Sequence, residues 1–554
     1  MTLGMNRCGP KTLRSTALSR VADLTMIAVV TIFNGWTSRR KGVKRMRKDD
    51  GVVYDTEVNS GVCDVRNYIV DTPSTLIDDL VEMVLQSSCE GTHFKSSLSS
   101  RKRFFSIVMD IVPLCRLSRF CDEWIDQYVK MECSSLLYSR LNRCAGLRKL
   151  AVTEEPRGRI MLKHASLMFK NFSHLTTLRC IPKVRGVSFH WIVGPVVENC
   201  RKLREFHLVY NGVALEESGC RIEDLSQCRD LVSIWLFDYS ATVSAGVVDN
   251  LQKLLMELTD LKFLFHKKVT SAILEPNEKI SGTLGLERLD LWSKCDELLS
   301  ECVGQHNVAL DTDELLRLTK TCPAIRILKL TKPPPCIDVM SRTLPKLEVL
   351  EMTRCHDIPP SFSCALRQNS LKNLTVIKLE EILKMNYTLI SELAHNCRSI
   401  EVLSISRSTI EADGQLTLPP LQSSAFPHLK DLTLTPRCSW HIECHCQEWE
   451  VGKRLTRYLL KGTHNLNSLH VHYNDSYDNV NDRPTSSFML EILEPLKFLT
   501  SLQLVSPMYM NCQIIREMVK CCPLLVRFGA FGSWKFDYTL GYSIPLLQYH
   551  CDCV

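Results

Sequence analysis

The sequence predicts an α/β solenoid, about fourteen strand–helix units sharing one parallel sheet on a concave face. Three observations predict it. The pattern L-x-x-L-x-L recurs fourteen times between residues 147 and 530, at a mean spacing of about 29 residues. Three positions before the first leucine of most copies stands a further buried-type residue, six times a cysteine: Cys144, Cys200, Cys228, Cys322, Cys397 and Cys522. Between the copies, apolar residues recur at three or four, as in Val248, Leu251 and Leu255, or Leu389, Leu393 and Cys397, or Ile514, Met518 and Cys522. That is the stripe of an amphipathic helix, whereas L-x-L alternation is a short strand with one buried face. One strand and one helix cannot bury their own apolar face, so neighbours must stack.

The composition admits this fold. Of 554 residues 45% are hydrophobic, 23% charged and 7% aromatic, which excludes a disordered polymer, a collagen-like chain and a small disulfide scaffold. Residues 1–71 form a basic tail, expected to be disordered. Residues 1–48 hold eleven cations against the single acid Asp23, a charge of +10, so a total of +7 leaves −3 for the remainder. On charge the body is no nucleic-acid binder. The apolar run from Leu24 to Phe33 is too short for a transmembrane helix, which needs roughly 20 residues. Seven cations fill residues 39–48; a nuclear-import signal, a contact with acidic lipid and a merely solvated tail all accommodate them.

Residues 72–141 read as helices. Thr75 and Asp78 suggest a capping box ahead of Leu76, Leu80, Val84 and Leu85. A second stretch carries Phe104, Phe105, Val108, Ile111 and Leu114, and a third carries Phe120, Trp124, Ile125, Tyr128 and Val129. A solenoid needs such a cap over its first repeat.

The repeats themselves span residues 142–537, with 538–554 as a C-terminal cap or tail. Their C-x-x-L-x-x-L-x-L form resembles the cysteine-containing subclass of leucine-rich repeat proteins, the F-box and ribonuclease-inhibitor-like kind. The resemblance implies a horseshoe. It also implies an intracellular protein-binding role, in one version as the substrate-recognition subunit of a cullin-type ubiquitin ligase. In that version Cys121-Asp122-Glu123-Trp124 resembles the C-x-x-W that closes many F-box motifs, and Phe120, Cys121 and Trp124 would grip the ligase adaptor. In the competing version the chain is a non-degradative scaffold or regulator and the helices are only a cap. The family usually places Asn or Cys eight residues after the first leucine. Here only Asn211, Cys355 and Asn474 comply, so a less regular turn ladder is expected.

The 26 cysteines fall often in the buried repeat position, where a thiol behaves as a small hydrophobe, and this points to the cytosol or nucleus. The chain contains none of the spacing motifs of phosphate-binding loops, zinc peptidases, nucleophile elbows or dinucleotide folds, so neither enzymatic activity nor a cofactor is expected. Cys438, His441, Cys444, His445 and Cys446 could in principle supply zinc ligands, but one short patch in a cysteine-rich chain reads better as an inserted loop, and no metal is expected.

A protein target is expected on the concave face. Residues between and after the leucines point outward from each strand. Most are small or polar, but successive repeats carry Trp235 and Phe237, Phe263 and Phe265, then Arg288, Asp290 and Trp292, bordered by Glu205, His207 and Lys267. Strands about 4.8 Å apart would gather these aromatics into one patch. Aromatics beside arginine are typical of interface hot spots. The alternatives are that the patch is covered by the chain itself, or that a register slip turns it inward.

Overall fold

The computed structural model describes residues 20–30, 74–90, 107–109, 117–121, 141, 144–153, 167–182, 188–240, 246–275, 282–291, 312–331, 337–355, 358–368, 371–382, 385–408, 410–411, 426–436, 445–461, 463–472, 486–505, 509–510, 512–529, 535–536 and 549–550. The chain divides into two compact units, one of residues 11–281 and one of residues 282–554 with 1–10.

The first unit carries six parallel strands in chain order: β1 (Arg119–Cys121), β2 (Lys149–Val152), β3 (Thr177–Cys180), β4 (Glu205–Tyr210), β5 (Ser233–Asp238) and β6 (Phe263–Phe265). Helices fill the connections, for instance Val193–Asn199 and Val247–Glu257. The second unit continues the pattern with β7 (Arg288–Leu291), β8 (Ile327–Thr331), β9 (Val349–Thr353) and β10 (Val376–Glu380). A short β11 (Met385–Asn386) follows, then β12 (Val402–Ser408), β13 (Ile410–Glu411), β14 (Asp431–Pro436), β15 (Ser468–His472) and β16 (Ser501–Val505). The last strands are β17 (Tyr509–Met510), β18 (Arg527–Gly529), β19 (Lys535–Phe536) and β20 (Tyr549–His550). β11 pairs with β13 and β17 with β19; the other strands of this unit form its main parallel sheet, in chain order. A repeat solenoid has this arrangement.

Each of the fourteen L-x-x-L-x-L copies lies on a strand of these sheets, and the pairing aligns them copy to copy. Leu178 faces Phe206, Phe206 faces Ile234, and Leu350 faces Ile377. The leucine positions of the first thirteen copies are buried, as is Phe528 of the last, whose Leu525 is half-buried; the six cysteines three residues upstream are buried too. Burial raises the thiol pKa values of Cys200, Cys322 and Cys397 to about 12 and also lifts those of Cys228 and Cys522, so these sulfurs pack as neutral apolar groups.

Neighbouring coils are tied by a recurrent bifurcated contact. The carbonyl of the residue after the first leucine accepts the two amides at the start of the next strand. Arg148 accepts from Thr176 and Thr177 at 2.8 and 3.0 Å, Thr176 from Arg204 and Glu205, and Glu348 from Thr375 and Val376. The Asn-poor turns are held in other ways. Asn211 accepts the amide of Ala214 and so caps the helix Gly212–Glu217, while Ser408 takes the amide of Ile382. In the second unit Arg354, Glu381 and Arg407 occupy the same turn position at φ of 56°, 55° and 50°. Such non-glycine residues cost about 1–2 kcal/mol each. Glu381 bridges the two arginines at 3.2 and 3.3 Å, which holds the three turns in line.

The sequence expectation is corrected before the first copy. Residues 119–121 are not helical: Phe120 lies in β1, 2% exposed, with Leu117 fully buried, and β1 pairs with β2 through Phe120 opposite Leu150. Leu117 and Phe120 therefore form a further copy, missed because Asp122 stands where the third apolar residue belongs. β20 adds a strand beyond the last copy, within the segment expected as a C-terminal cap or tail. Residues 20–30 are helical rather than disordered, with Ala22 and Val29 buried and Leu24 and Ile27 exposed.

The helix α1 (Ser74–Glu90) closes the exposed end of β1, and Asp78 does so chemically. Its carboxylate accepts the amides of Ser118 at 3.0 Å and Arg119 at 3.3 Å and also the Ser118 hydroxyl. Those two amides are the pair that, in every later coil quoted above, donates to a carbonyl of the preceding coil. Asp78 thus supplies for β1 the acceptor that a carbonyl of the preceding coil supplies for the later strands. Arg119 adds ion pairs with Asp79 and Glu82. Asp78→Ala should cost about 1–2 kcal/mol, since both amides lose a charged acceptor but regain water. Amide exchange at Ser118 and Arg119 should accelerate while β4 to β6 stay protected; unchanged exchange there would remove the capping role.

Candidate functional site: an aromatic face on strands β4 to β6

The outward face of the first unit is built from three register rows. One runs Lys149, Thr177, Glu205, Ser233 and Phe263; the next runs Ala151, Arg179, His207, Trp235 and Phe265. In the third, Val209 pairs with Phe237, and Ile181 follows Cys180, the partner of Leu208. Strand alternation makes this arrangement unavoidable once Ile234, Leu236 and Leu264 are buried. Trp235 and Phe237, and Phe263 with His207, are half-buried on that face, so no register slip has turned them inward.

Trp235 is the centre. It stacks on Phe265 at 5.3 Å and on Phe237 at 5.8 Å, with planes only 10° and 11° apart, and His207 lies 6.2 Å away at 35°. Offset stacks of this kind contribute about 0.5–1.5 kcal/mol each beyond their burial. Phe265 is 3% exposed, so it supports the patch from within and presents little surface.

Lys267, expected at the border, is committed elsewhere. Its ammonium donates to the carbonyls of Asp238 and Ser240, both at 3.1 Å, and lies 3.3 Å from Asp238 Oδ2, whose side chain is fully buried. Asp238 Oδ1 accepts the amides of Gly212 at 3.1 Å and Ser240 at 2.9 Å, and the Ser240 hydroxyl at 2.6 Å. Gly212 permits the approach, because a Cβ there would stand 3.1 Å from Asp238 Oδ2. Next to this cluster His266 occupies a leucine position of the repeat, directly after Phe265, the register partner of Trp235, and is buried. Its Nδ1 accepts the amide of Lys268 at 3.0 Å, so Nε2 carries the proton and donates to the Tyr210 hydroxyl at 3.1 Å.

Burial holds His266 down to about 4, against the raising influence of Asp238. A depressed folded pKa means the unfolded chain binds more protons below the ordinary value of about 6.5. The contribution of His266 is therefore intact above pH 6.5 and is lost as pH falls towards 4, about 2–3 kcal/mol in all. Denaturation curves between pH 7 and 4 should show this slope, and His266→Gln, which keeps a donor for Tyr210, should remove it. Equal slopes in both proteins would refute the assignment.

In the second unit, Arg288 is tied to Asp290 by a two-pronged contact at 2.9 Å for each nitrogen, and Asp290 is buried rather than outward and free. Arg288 is thus spent on its own strand. Trp292 and Trp124 lie outside the described residues, as do Cys438, His441 and Cys444, while the side chains of His445 and Cys446 are not described. No group of three or more potential metal ligands occurs among the described residues. No described helix is long and apolar enough to cross a membrane.

Sequence reasoning missed two features of the sheet. Ile181, 40% exposed, extends the apolar face to the end of β3, while Val209 in the same row is buried, a signal available from the alternation had the strands been read one residue further. In the second unit, Lys329, Glu351 and Lys378 follow one another along one register row, with Lys378 at 2.7 Å from Glu351. No protein-family model matches the chain, and a search of curated proteins finds no match either.

Proposed function

We propose that the chain is a non-enzymatic, intracellular leucine-rich repeat protein of the cysteine-containing subclass, and that it docks a protein partner on the outward face of β4 to β6. The observation that carries this reading is the half-buried pair Trp235 and Phe237, backed by the buried Phe265 and beside His207, held by its own stacking in a fixed orientation. A rigid aromatic anchor loses little conformational entropy on binding and is the usual core of a hot spot. The subclass is supported by six cysteines at one buried repeat position, and a reducing compartment by thiols that stay free there.

Between a ligase subunit and a scaffold or regulator, the position of Phe120 favours the second. A side chain 2% exposed in β1 cannot grip an adaptor, and α1 already has a capping task. Affinity capture with mass spectrometry tests both. Trp235→Ala should weaken recovery of the partner by about 2 kcal/mol in affinity while lowering stability by about 1–2 kcal/mol through the lost stacks. A partner retained in full by Trp235→Ala would move the docking site elsewhere. Cullin and adaptor in the capture, lost on Trp124→Ala, would restore the ligase version.

A further inference from the structure

The charge around the aromatic face specifies what kind of segment it takes. At the start of the strands in the first unit stand Arg148, Arg204 and Lys262, all exposed, and Lys149 and Arg179 stand on the outward rows, while Arg119 is already paired with Asp79 and Glu82. Among the same positions of β1 to β6 the one carboxylate is Glu205, 3.9 Å from Arg179. Arg148, Lys149 and Arg204 make no ion pair among the described residues. The second unit is different: there the same positions neutralise one another, as in Arg326 with Glu348 at 2.7 Å, Lys378 with Glu351 and Lys430 with Glu401. An excess of cations beside an apolar slab is an electrostatic preference, and it is confined to the unit that carries the slab.

We infer, building on the docking face proposed above, that its occupant is an acidic peptide segment with an aromatic or aliphatic anchor. The anchor rests on Trp235 and Phe237, with the exposed Ile181 on its flank. Carboxylates of the segment meet Arg179 and Lys149, where they compete with Glu205. Arg179 lies two strands from Trp235 in the same register row, roughly 10 Å. An extended peptide rises about 3.3 Å per residue, so an acidic residue belongs about three positions from the anchor. A nucleic acid would also seek the cations, but base stacking needs open ring faces. Trp235 is already stacked against two rings of its own chain, and the exposed Ile181 offers aliphatic surface instead.

The test is selection from a random library of short displayed peptides on the full chain, with Trp235→Ala as the counter-selection. Enrichment of sequences with Asp or Glu about three positions from an apolar residue is expected. Lys149→Glu with Arg179→Glu, both exposed positions, should weaken the selected peptide about tenfold or more and turn a fresh selection towards basic sequences. The single Lys149→Glu variant serves should the pair fail to fold by circular dichroism. Enriched peptides without acidic bias, still lost on Trp235→Ala, would overturn this inference and leave the docking face standing. No enrichment over Trp235→Ala would overturn both. A labelled oligouridylate that binds more tightly than the selected peptide and responds to the same charge reversals would assign the face to RNA.

Discussion

Asp238→Ala should destabilise the first unit by about 3–5 kcal/mol, one of the two largest losses expected of any single substitution considered. The carboxylate is fully buried and serves three tasks at once: it accepts two amides, holds the Ser240 hydroxyl and balances the Lys267 ammonium. Removing it leaves the Gly212 and Ser240 amides without an acceptor and a lysine, whose side chain is 29% exposed, without its counter-charge. Asp238→Asn separates the two contributions. It keeps an acceptor for the amides but not the charge, so its loss should fall between wild type and alanine. Urea unfolding monitored by Trp fluorescence reads both. A loss below about 1 kcal/mol for Asp238→Ala would mean that the cluster opens to water and that Lys267 is available at the surface after all.

Phe265→Ala should cost about as much, 3–5 kcal/mol, for a different reason. Its ring is almost wholly buried although it stands on the outward side of β6, because Trp235 lies flat against it. Truncation removes apolar burial, opens a void beneath Trp235 and frees the indole to move. Partner binding should therefore fall together with stability. Phe263→Ala, a half-buried neighbour on the same strand, should cost about 1 kcal/mol and leave Trp235 in place. Equal losses at the two positions would show that Phe265 is an ordinary surface ring. In that event the earlier expectation, which treated both phenylalanines as contact residues, would be the better one.

The aromatic face proposed for docking and the pH behaviour of His266 meet at one place in the chain. β5 carries Trp235 and Phe237 outward and ends on Asp238, while the segment after β6 supplies His266 and Lys267. The aromatic slab is thus anchored by a buried polar cluster at the end of its own strands. Such clusters hold a unique geometry when fully satisfied and are costly when they are not. Acid that protonates His266 would loosen the support of the slab before it touched the slab itself.

The period of the repeat, the parallel sheet, the buried cysteines and the outward side of Trp235 were all legible in the residues, because each follows from local alternation and from the need of a strand–helix unit to stack. The spacing of Leu231, Ile234 and Leu236 alone decides that Trp235 and Phe237 share the opposite face. What the tertiary structure decided is which neighbours those outward residues meet, and that depends on side chains from other coils. Lys267 looked like a surface cation, but Asp238, 29 positions earlier, draws it in; Arg288 looked like a hot spot, but Asp290 holds it. Phe120 looked like part of a helix because Asp122 hides the third position of its repeat, and only pairing with Leu150 reveals the strand. Asp78 looked like a local helix cap, yet its carboxylate serves amides 40 and 41 residues further on. Patterns set by one coil are written in one stretch of sequence; which charges and amides satisfy one another is settled only in the folded chain, between coils for Lys267 and Asp78 and within one strand for Arg288.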